Sequence, residues 1–392
     1  MKNMKNNVVI LGPNHHNTLG VVRSLGRKGI NPFVIFFSKD KSFPICKSRY
    51  IEKFYITDSV DEILRILKQL SLFFKTASRK NKPILIACSD KMASFIDLNL
   101  NELSELYICP GAKRQGLLTE LMDKAKMTLL AKQSGLKVPY SIEFRGGGDF
   151  KSNDLIYPCI VKPLKSINGS KSEIRICSTP KELKEYLSLF KNPSFQIQQY
   201  IKKAYEYQLI GCALSDKIII PGKTSIIYQP QNTNTAFLQY VSLDGSEPIK
   251  ACNNFLRKTT YTGLFSMEFI KGEDGIDYFM EVNFRNDGNA ICVTDAGRNL
   301  PYIWFLNENG KNYDSEMVRP LKDVYCIPDF AILYLWYEGT VSFIELISAF
   351  KKANSHMDYD SLDQVPTLGK LRILRLFILL FVKKIIKRLI NR

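Results

Sequence analysis

Two hydrophobic rhythms alternate along the first third of the chain. Residues 7–11 (NVVIL) form a short unbroken apolar run ending at Gly12-Pro13, the pattern of a strand buried on both faces. Over 17–28, Leu19, Val22, Leu25 and Gly26 recur at helical spacing, and Gly29 closes the segment. Residues 32–37 read as the next strand. This spacing predicts a strand–helix–strand unit of the doubly wound kind. It recurs as a helix over 60–74 and a strand over 83–87 that ends at Cys88-Ser89-Asp90. An α/β domain is expected over 1–115. Its first loop, Gly12 to Gly20, lies at a carboxyl strand end, where open sheets bind ligands. The loop is neither GxGxxG nor a Walker A sequence. It reads as a structural turn and helix cap, or as a substrate-side contact through His15 and His16.

Past residue 115 the pattern mixes. A helical segment is expected at 116–136, a strand at 157–163 (YPCIVKP), a helix at 180–190 and a strand at 195–201. A hairpin is expected from 205–214 and 216–220. Such mixing predicts α+β architecture over 116–310.

The hairpin at 263–285 (GLFSMEFIKGEDGIDYFMEVNFR) carries the most chemistry. Asp274-Gly275 is a favoured two-residue turn. With Glu273 opposite Ile276, Glu268 falls directly opposite Glu281. Alternation puts Phe265, Met267 and Phe269 with Met280, Val282 and Phe284 on one apolar face. Ser266, Glu268, Glu281, Asn283 and Arg285 take the other. Two carboxylates facing each other on a strand pair repel. A divalent cation removes that cost, and two carboxylates with an amide oxygen are hard donors suited to magnesium. Arg285 is placed to meet phosphoryl oxygens or a developing oxyanion. The plain alternative is a solvated face of mixed charge; the strict partition of the two faces argues against it.

The arrangement strand–Glu, hairpin, Glu-x-Asn-x-Arg resembles the signature of the ATP-grasp superfamily, with Phe284 in place of the usual proline. Further pieces occur in the family's order. Asp123-Lys124 resembles the first nucleotide-lysine segment, and Lys162 in YPCIVKP resembles the second lysine, which contacts phosphate. Gln198-Gln199-Tyr200-Ile201 resembles the hinge whose backbone reads adenine, with Gln198 where a glutamate is usual. Glu206 resembles the acid that binds the ribose hydroxyls. Residues 166–172 (SINGSKS) stand where the family's glycine-rich phosphate loop lies, with only Gly169 retained. Residues 1–115 resemble the pre-ATP-grasp domain of carbamoyl-phosphate-synthase-like and D-aspartate-ligase-like members. The likeness spans about residues 7–305.

The resemblance implies an α/β pre-ATP-grasp domain (1–115), then an α+β ATP-grasp fold of two lobes (116–190 and 191–310), then a C-terminal extension (311–392) with a basic helix. It implies an ATP-dependent carboxylate–amine ligase working through an acylphosphate. Magnesium is expected on Glu268, Glu281 and Asn283, and ATP on Lys124, Lys162, Gln198, Gln199, Tyr200, Ile201 and Glu206. Arg285 and Lys162 are the expected catalytic groups. Lys223 and Arg298 read equally as holders of an anionic substrate or as surface charges.

Composition changes this picture in one place. The formal charge is +17, and residues 368–392 hold eight cations and no acid. That tail predicts a helix from about 371, apolar on all sides over 376–382 and, from Lys383 onward, basic on one arc and apolar on the other, which suits an anionic membrane surface or docking on protein or another subunit. A membrane-surface ligase suits a lipid-linked cell-envelope precursor. No apolar run reaches the length of a membrane span. The nine scattered cysteines form no CxxC pair and fit a reducing cytoplasm. Two other readings compete within the fold: a phosphotransferase without ligation, and a non-catalytic nucleotide-binding protein at the membrane. Nucleic acid is not an expected partner, because no RRM, KH or zinc motif accompanies the charge.

Overall fold

The computed structural model describes residues 8–41, 44–75, 82–145, 155–163, 174–189, 194–228, 235–360 and 363–390. The phosphate-loop segment 166–172 lies outside these.

The first unit runs β1 (Val8–Gly12), α1 (His16–Gly26), β2 (Phe33–Phe37), β3 (Lys53–Thr57), α2 (Val60–Lys75), β4 (Ile84–Ala87), α3 (Asp90–Leu98) and α4 (Leu100–Leu106). Its sheet has the order β3-β2-β1-β4, all parallel. β1 and β4 are buried along their whole lengths. That is why their sequences are unbroken apolar runs rather than alternating ones. The edge strand β3, with Lys53 and Phe54 exposed, carries no such run and was not expected from the sequence.

The expected helical segment 116–136 is two helices, α5 (Leu117–Leu121) and α6 (Lys124–Gln133). Asp123 breaks it by capping α6: its carboxylate accepts from the N–H groups of Ala125 and Lys126. The next unit is a four-stranded antiparallel sheet, with β5 (Ser141–Arg145), β6 (Cys159–Pro163), β7 (Arg175–Cys177), α7 (Pro180–Leu189) and β8 (Ser194–Gln199), in the order β5-β8-β6-β7.

A larger sheet follows, built from β9 (Lys203–Ala213), β10 (Ile218–Ile219), β11 (Lys223–Tyr228), β12 (Phe237–Val241), β13 (Gly263–Gly272) and β14 (Asp277–Asn283). α8 (Ile249–Thr259) covers its apolar face with α6 beside it. β9 and β10 pair antiparallel, as the sequence predicts. After α9 (Ile291–Asp295), α10 (Leu300–Glu308) and α11 (Asp314–Met317), the chain adds β15 (Val324–Ile327) to this sheet. α12 (Asp329–Glu338), α13 (Phe343–Lys352) and β16 (Ser355–His356) follow, and α14 (Gln364–Ile390) ends the described chain. The order is β14-β13-β9-β11-β12-β15-β16, with β10 on β9. α9 and α10 pack on α1, so the first unit and the large sheet share one core around Trp304, Ile291 and Val22.

The hairpin reaches its expected pairing by an unexpected route. The Gly272 N–H donates to the Ile276 carbonyl, so the turn has three residues, Glu273, Asp274 and Gly275, rather than two. Gly275 takes φ +79°, which favours glycine. That shift alone would misalign the carboxylates. A bulge between Phe269↔Phe279 and Glu268↔Glu281 takes up the extra residue, Met280, and restores the register. Phe279, not Met280, therefore joins Val282 and Phe284 in the core. Phe284, in the position of the usual proline, is 2% exposed and packs 5.0 Å from Tyr261, ring to ring.

α14 docks along α12 through Trp336, whose ring stacks 5.3 Å from Phe377 and lies under the Lys384 ammonium. Among the described residues, no helix is long and apolar enough to cross a membrane.

Candidate active site

The polar face of the large sheet is set by three neighbouring strands. Ser266 and Glu268 come from β13, Glu281 and Asn283 from β14, and Gln208 pairs with Glu268 from β9. Glu268 and Glu281 are direct partners across the strands. Gln208 Nε2 and Asn283 Nδ2 both donate to Glu268 Oε1, at 3.2 and 3.1 Å. Asn289 Nδ2 in turn donates to Gln208 Oε1 at 2.8 Å. Burial first, then Glu281 and Asp287, push the Glu268 carboxyl well above the usual carboxylate range. Among the described residues no lysine or arginine forms an ion pair with either glutamate. The donor set thus consists of two facing carboxylates that form no ion pair among the described residues and an amide whose nitrogen is engaged, leaving its oxygen. Magnesium fits that chemistry.

Arg285 is held rather than loose. Its Nε donates to Asp90 at 2.9 Å, and its Nη1 to Asp287 at 3.0 Å and to the Asn286 carbonyl at 3.2 Å. Asp287 also accepts from Ser266 Oγ at 3.1 Å and from the Asn289 N–H at 2.8 Å. Asn17 ties this loop to the first domain, donating to the carbonyls of Asn286 (2.8 Å) and Cys88 (3.0 Å). The carboxyl ends of β1 and β4 therefore border the acidic face. His15 and His16 sit here. His15 Nδ1 accepts from the Asn17 N–H at 3.2 Å and so caps α1. Burial and then Arg285 lower the His15 pKa; burial and then His15 take His16 down to about 3. A side chain at Gly288 would come within 3.3 Å of His16 Nε2, a tight contact where the two loops meet.

The lysines arrive from the other side. Lys124 opens α6, which packs under β14. Burial lowers its pKa, against the attraction of Glu281. Lys162 on β6 donates to Gln198 Oε1 at 2.6 Å. Burial and then the Lys124 charge bring Lys162 down to about 7, opposed by Glu281. A glutamine satisfies its hydrogen bond and brings no charge, so Lys162 is short of a counter-anion. At the hinge, the N–H groups of Gln199 and Tyr200 are committed to the carbonyls of Tyr140 and Pro158. The Ile201 side chain is buried. Glu206 lies two residues from Gln208 on the same strand face and pairs with Lys203 at 2.7 Å.

The two weaker candidates are engaged by partners within the protein. Lys223 is buried between Asp244 and Glu247, both at 2.7 Å, and these carboxylates raise its pKa. Arg298 is buried and donates to the carbonyls of Glu316 and Arg319. The sequence reading missed Gln208, Asp287, Asn289 and Asp90. The alternation of β9 pointed to Gln208 beside Glu206. Asp90 and Asp287 gave no local signal, because they meet only through Arg285, 195 residues from Asp90.

No family model and no curated relative matches the chain. Solved structures do. The chain is similar to an L-amino acid ligase from Bacillus licheniformis (16% identity, TM-score 0.62, covering 82% of this chain and 80% of that one). It is similar to N5-carboxyaminoimidazole synthetase from Staphylococcus aureus complexed with ADP (17%, TM-score 0.64, 88% and 87%). It is also similar to a biotin carboxylase from Campylobacter jejuni in a β-γ-ATP complex (15%, TM-score 0.62, 81% and 74%). At these identities the likeness establishes the fold.

Proposed function

Starting from that fold, the ATP-grasp fold, we propose that this protein is an ATP-dependent carboxylate–amine ligase. The observation that carries the reading is the Glu268–Glu281 pair, two facing carboxylates that form no ion pair among the described residues. Glu268, Glu281 and Asn283 hold magnesium, which neutralises the charge of bound phosphate oxygens. Lys162 and Lys124 supply positive charge to the phosphates. The hinge carbonyls and Ile201 N–H meet the adenine edge, and Glu206 the ribose. Arg285, fixed by Asp90 and Asp287, presents its remaining N–H groups to the transferring phosphoryl group and the tetrahedral intermediate. The protein's work is positioning and charge neutralisation. The reaction class is activation of a carboxylate as its acyl phosphate, with the amine then displacing phosphate.

A finer reading takes the carboxylate to be a lipid-linked cell-envelope precursor, handled by a cytoplasmic enzyme peripheral to the membrane. Its support is the run of eight cations in residues 368–392.

A screen crossing carboxylates with amines, with ATP and magnesium, tests the main reading. The expected result is phosphate release that requires both partners and yields a new amide. Retention of phosphate on the product would instead identify a phosphotransferase, and nucleotide binding without turnover across the panel a non-catalytic role.

Nucleotide binding is also expected to take up a proton. A nearby phosphate raises the pKa of Lys162 from its depressed value of about 7. Affinity therefore falls as pH rises above 7, by up to about tenfold per unit. Titration calorimetry near pH 8, in buffers of different ionisation heat, reads the uptake directly. In Gln198→Glu the new carboxylate raises Lys162 beforehand, so the uptake should shrink. The linkage to folding has the matching sign. Between about 7 and 10.5 the unfolded chain binds more protons at this site, so nucleotide-free stability rises with pH across that window. An unchanged uptake in Gln198→Glu would remove Lys162 from the phosphate site.

A further inference from the structure

α14 carries apolar side chains on opposite sides, and the protein covers only one. Leu380, 3% exposed, marks the side docked on α12. Leu371, Leu374, Ile378, Val382, Ile385 and Ile386 fall within an arc of about 120° centred opposite Leu380. All six are exposed, Leu371 by 63%. Arg372 and Lys383 line one flank of the arc, Arg375 stands within it, and the exposed Lys387 lies nearer Leu380. None of these four cations forms an ion pair with a described residue. α13 lies alongside and adds outward apolar groups, with Ile344 80% exposed. Two clefts, of about 440 and 400 Å³, separate the helices. Ile347, Phe350, Leu374 and Phe377 line the first; Phe343, Phe381 and Ile385 line the second.

We propose that the outward faces of α13 and α14 dock flat on an anionic lipid bilayer, with the clefts between them receiving the ends of acyl chains. An apolar arc this wide left in water is unfavourable and marks an interaction surface. Its cations sit at the flank, where phospholipid headgroups would lie beside inserted side chains. No acidic residue occurs from 364 to 392. A second copy of this face would bring Arg372, Arg375 and Lys383 against the same cations, so self-association is disfavoured. No described helix is long and apolar enough to cross a membrane, and the docked side of α14 is held by Trp336, so the helix would lie in the interface. The proposal deepens the membrane reading above and does not depend on ligation, so vesicle binding and ATP turnover are measured separately.

The test is flotation of the full chain with vesicles of phosphatidylcholine, alone or mixed with phosphatidylglycerol. Binding should require the anionic lipid and weaken with salt. The triple variant R372Q/R375Q/K383Q should bind about a hundredfold more weakly at low salt. I378D/V382D should lose binding at every salt concentration while keeping the wild-type thermal midpoint, since both side chains are exposed. Flotation of I378D/V382D equal to wild type overturns the proposal. So does equal binding to both vesicle types. A concentration-dependent dimer that this variant dissolves, without vesicle binding, would assign the face to a second copy instead.

Discussion

Glu281→Gln is expected to abolish carboxylate-dependent ATP turnover without harming the fold. Glu281 faces Glu268 across β13 and β14, and among the described residues no lysine or arginine forms an ion pair with either. Replacing one carboxylate by an amide weakens the hard donor set that holds the metal. The loss of phosphoryl charge stabilisation should lower kcat by at least about 10² to 10³-fold. The folded state should move the other way. Removing one of two opposed like charges relieves repulsion, which is worth about 0.2–1 kcal/mol on a strand pair. The variant should therefore melt at or above the wild-type temperature without ligand, and lose the thermal shift that magnesium and nucleotide together give the wild type. Wild-type turnover in Glu281→Gln would end the metal assignment. A lowered melting temperature would mean that the pair is tolerated for a reason other than an ion.

The largest effect on stability is expected at Arg23, far from that site. Its side chain is fully buried in α1 and meets Asp363, also fully buried, at 3.3 Å. It also donates to the carbonyls of Met357 (3.0 Å) and Asp358 (3.2 Å). Asp363 further accepts from Ser48 Oγ at 2.7 Å and from the Arg49 N–H at 3.1 Å. Arg23→Leu leaves a buried carboxylate without its cation, which costs about 3–5 kcal/mol. The urea midpoint should fall accordingly. Arg23→Leu combined with Asp363→Leu should recover much of the loss, because the uncompensated charge goes with its partner. A single variant within about 1 kcal/mol of wild type would show that solvent reaches this pair after all. Because Arg23 anchors the segment that leads into α14, the single variant should also loosen the docking of α14 on α12.

The hairpin shows how a correct sequence reading can rest on a wrong local step. A two-residue turn was expected at Asp274-Gly275, and the turn has three residues. The pairing of Glu268 with Glu281 survives because the bulge at Met280 shifts the register back by one residue. The composition of the two faces decided that pairing. Placing either glutamate in the core would bury an unpaired charge, which costs more than distorting one residue of the ladder. Met280 is apolar and could be moved out of the core at little cost, so the bulge falls there.

By itself, the sequence determined what depends on periodicity and on charge that cannot be buried. It determined the parallel first sheet, the apolar and acidic faces of the hairpin, Lys162 on a buried strand, and a basic helical tail. The tertiary structure alone decided what depends on partners distant along the chain. It fixed Arg285 between Asp90 and Asp287, gave Lys223 and Arg298 buried partners within the protein, and gave Lys162 an uncharged partner in Gln198. It also covered one side of α14 and left the other in solvent. The physical reason is the same in each case. A side chain's burial and hydrogen bonding are local consequences of pattern, whereas the charge that it meets is set by which strands and loops the fold brings beside it.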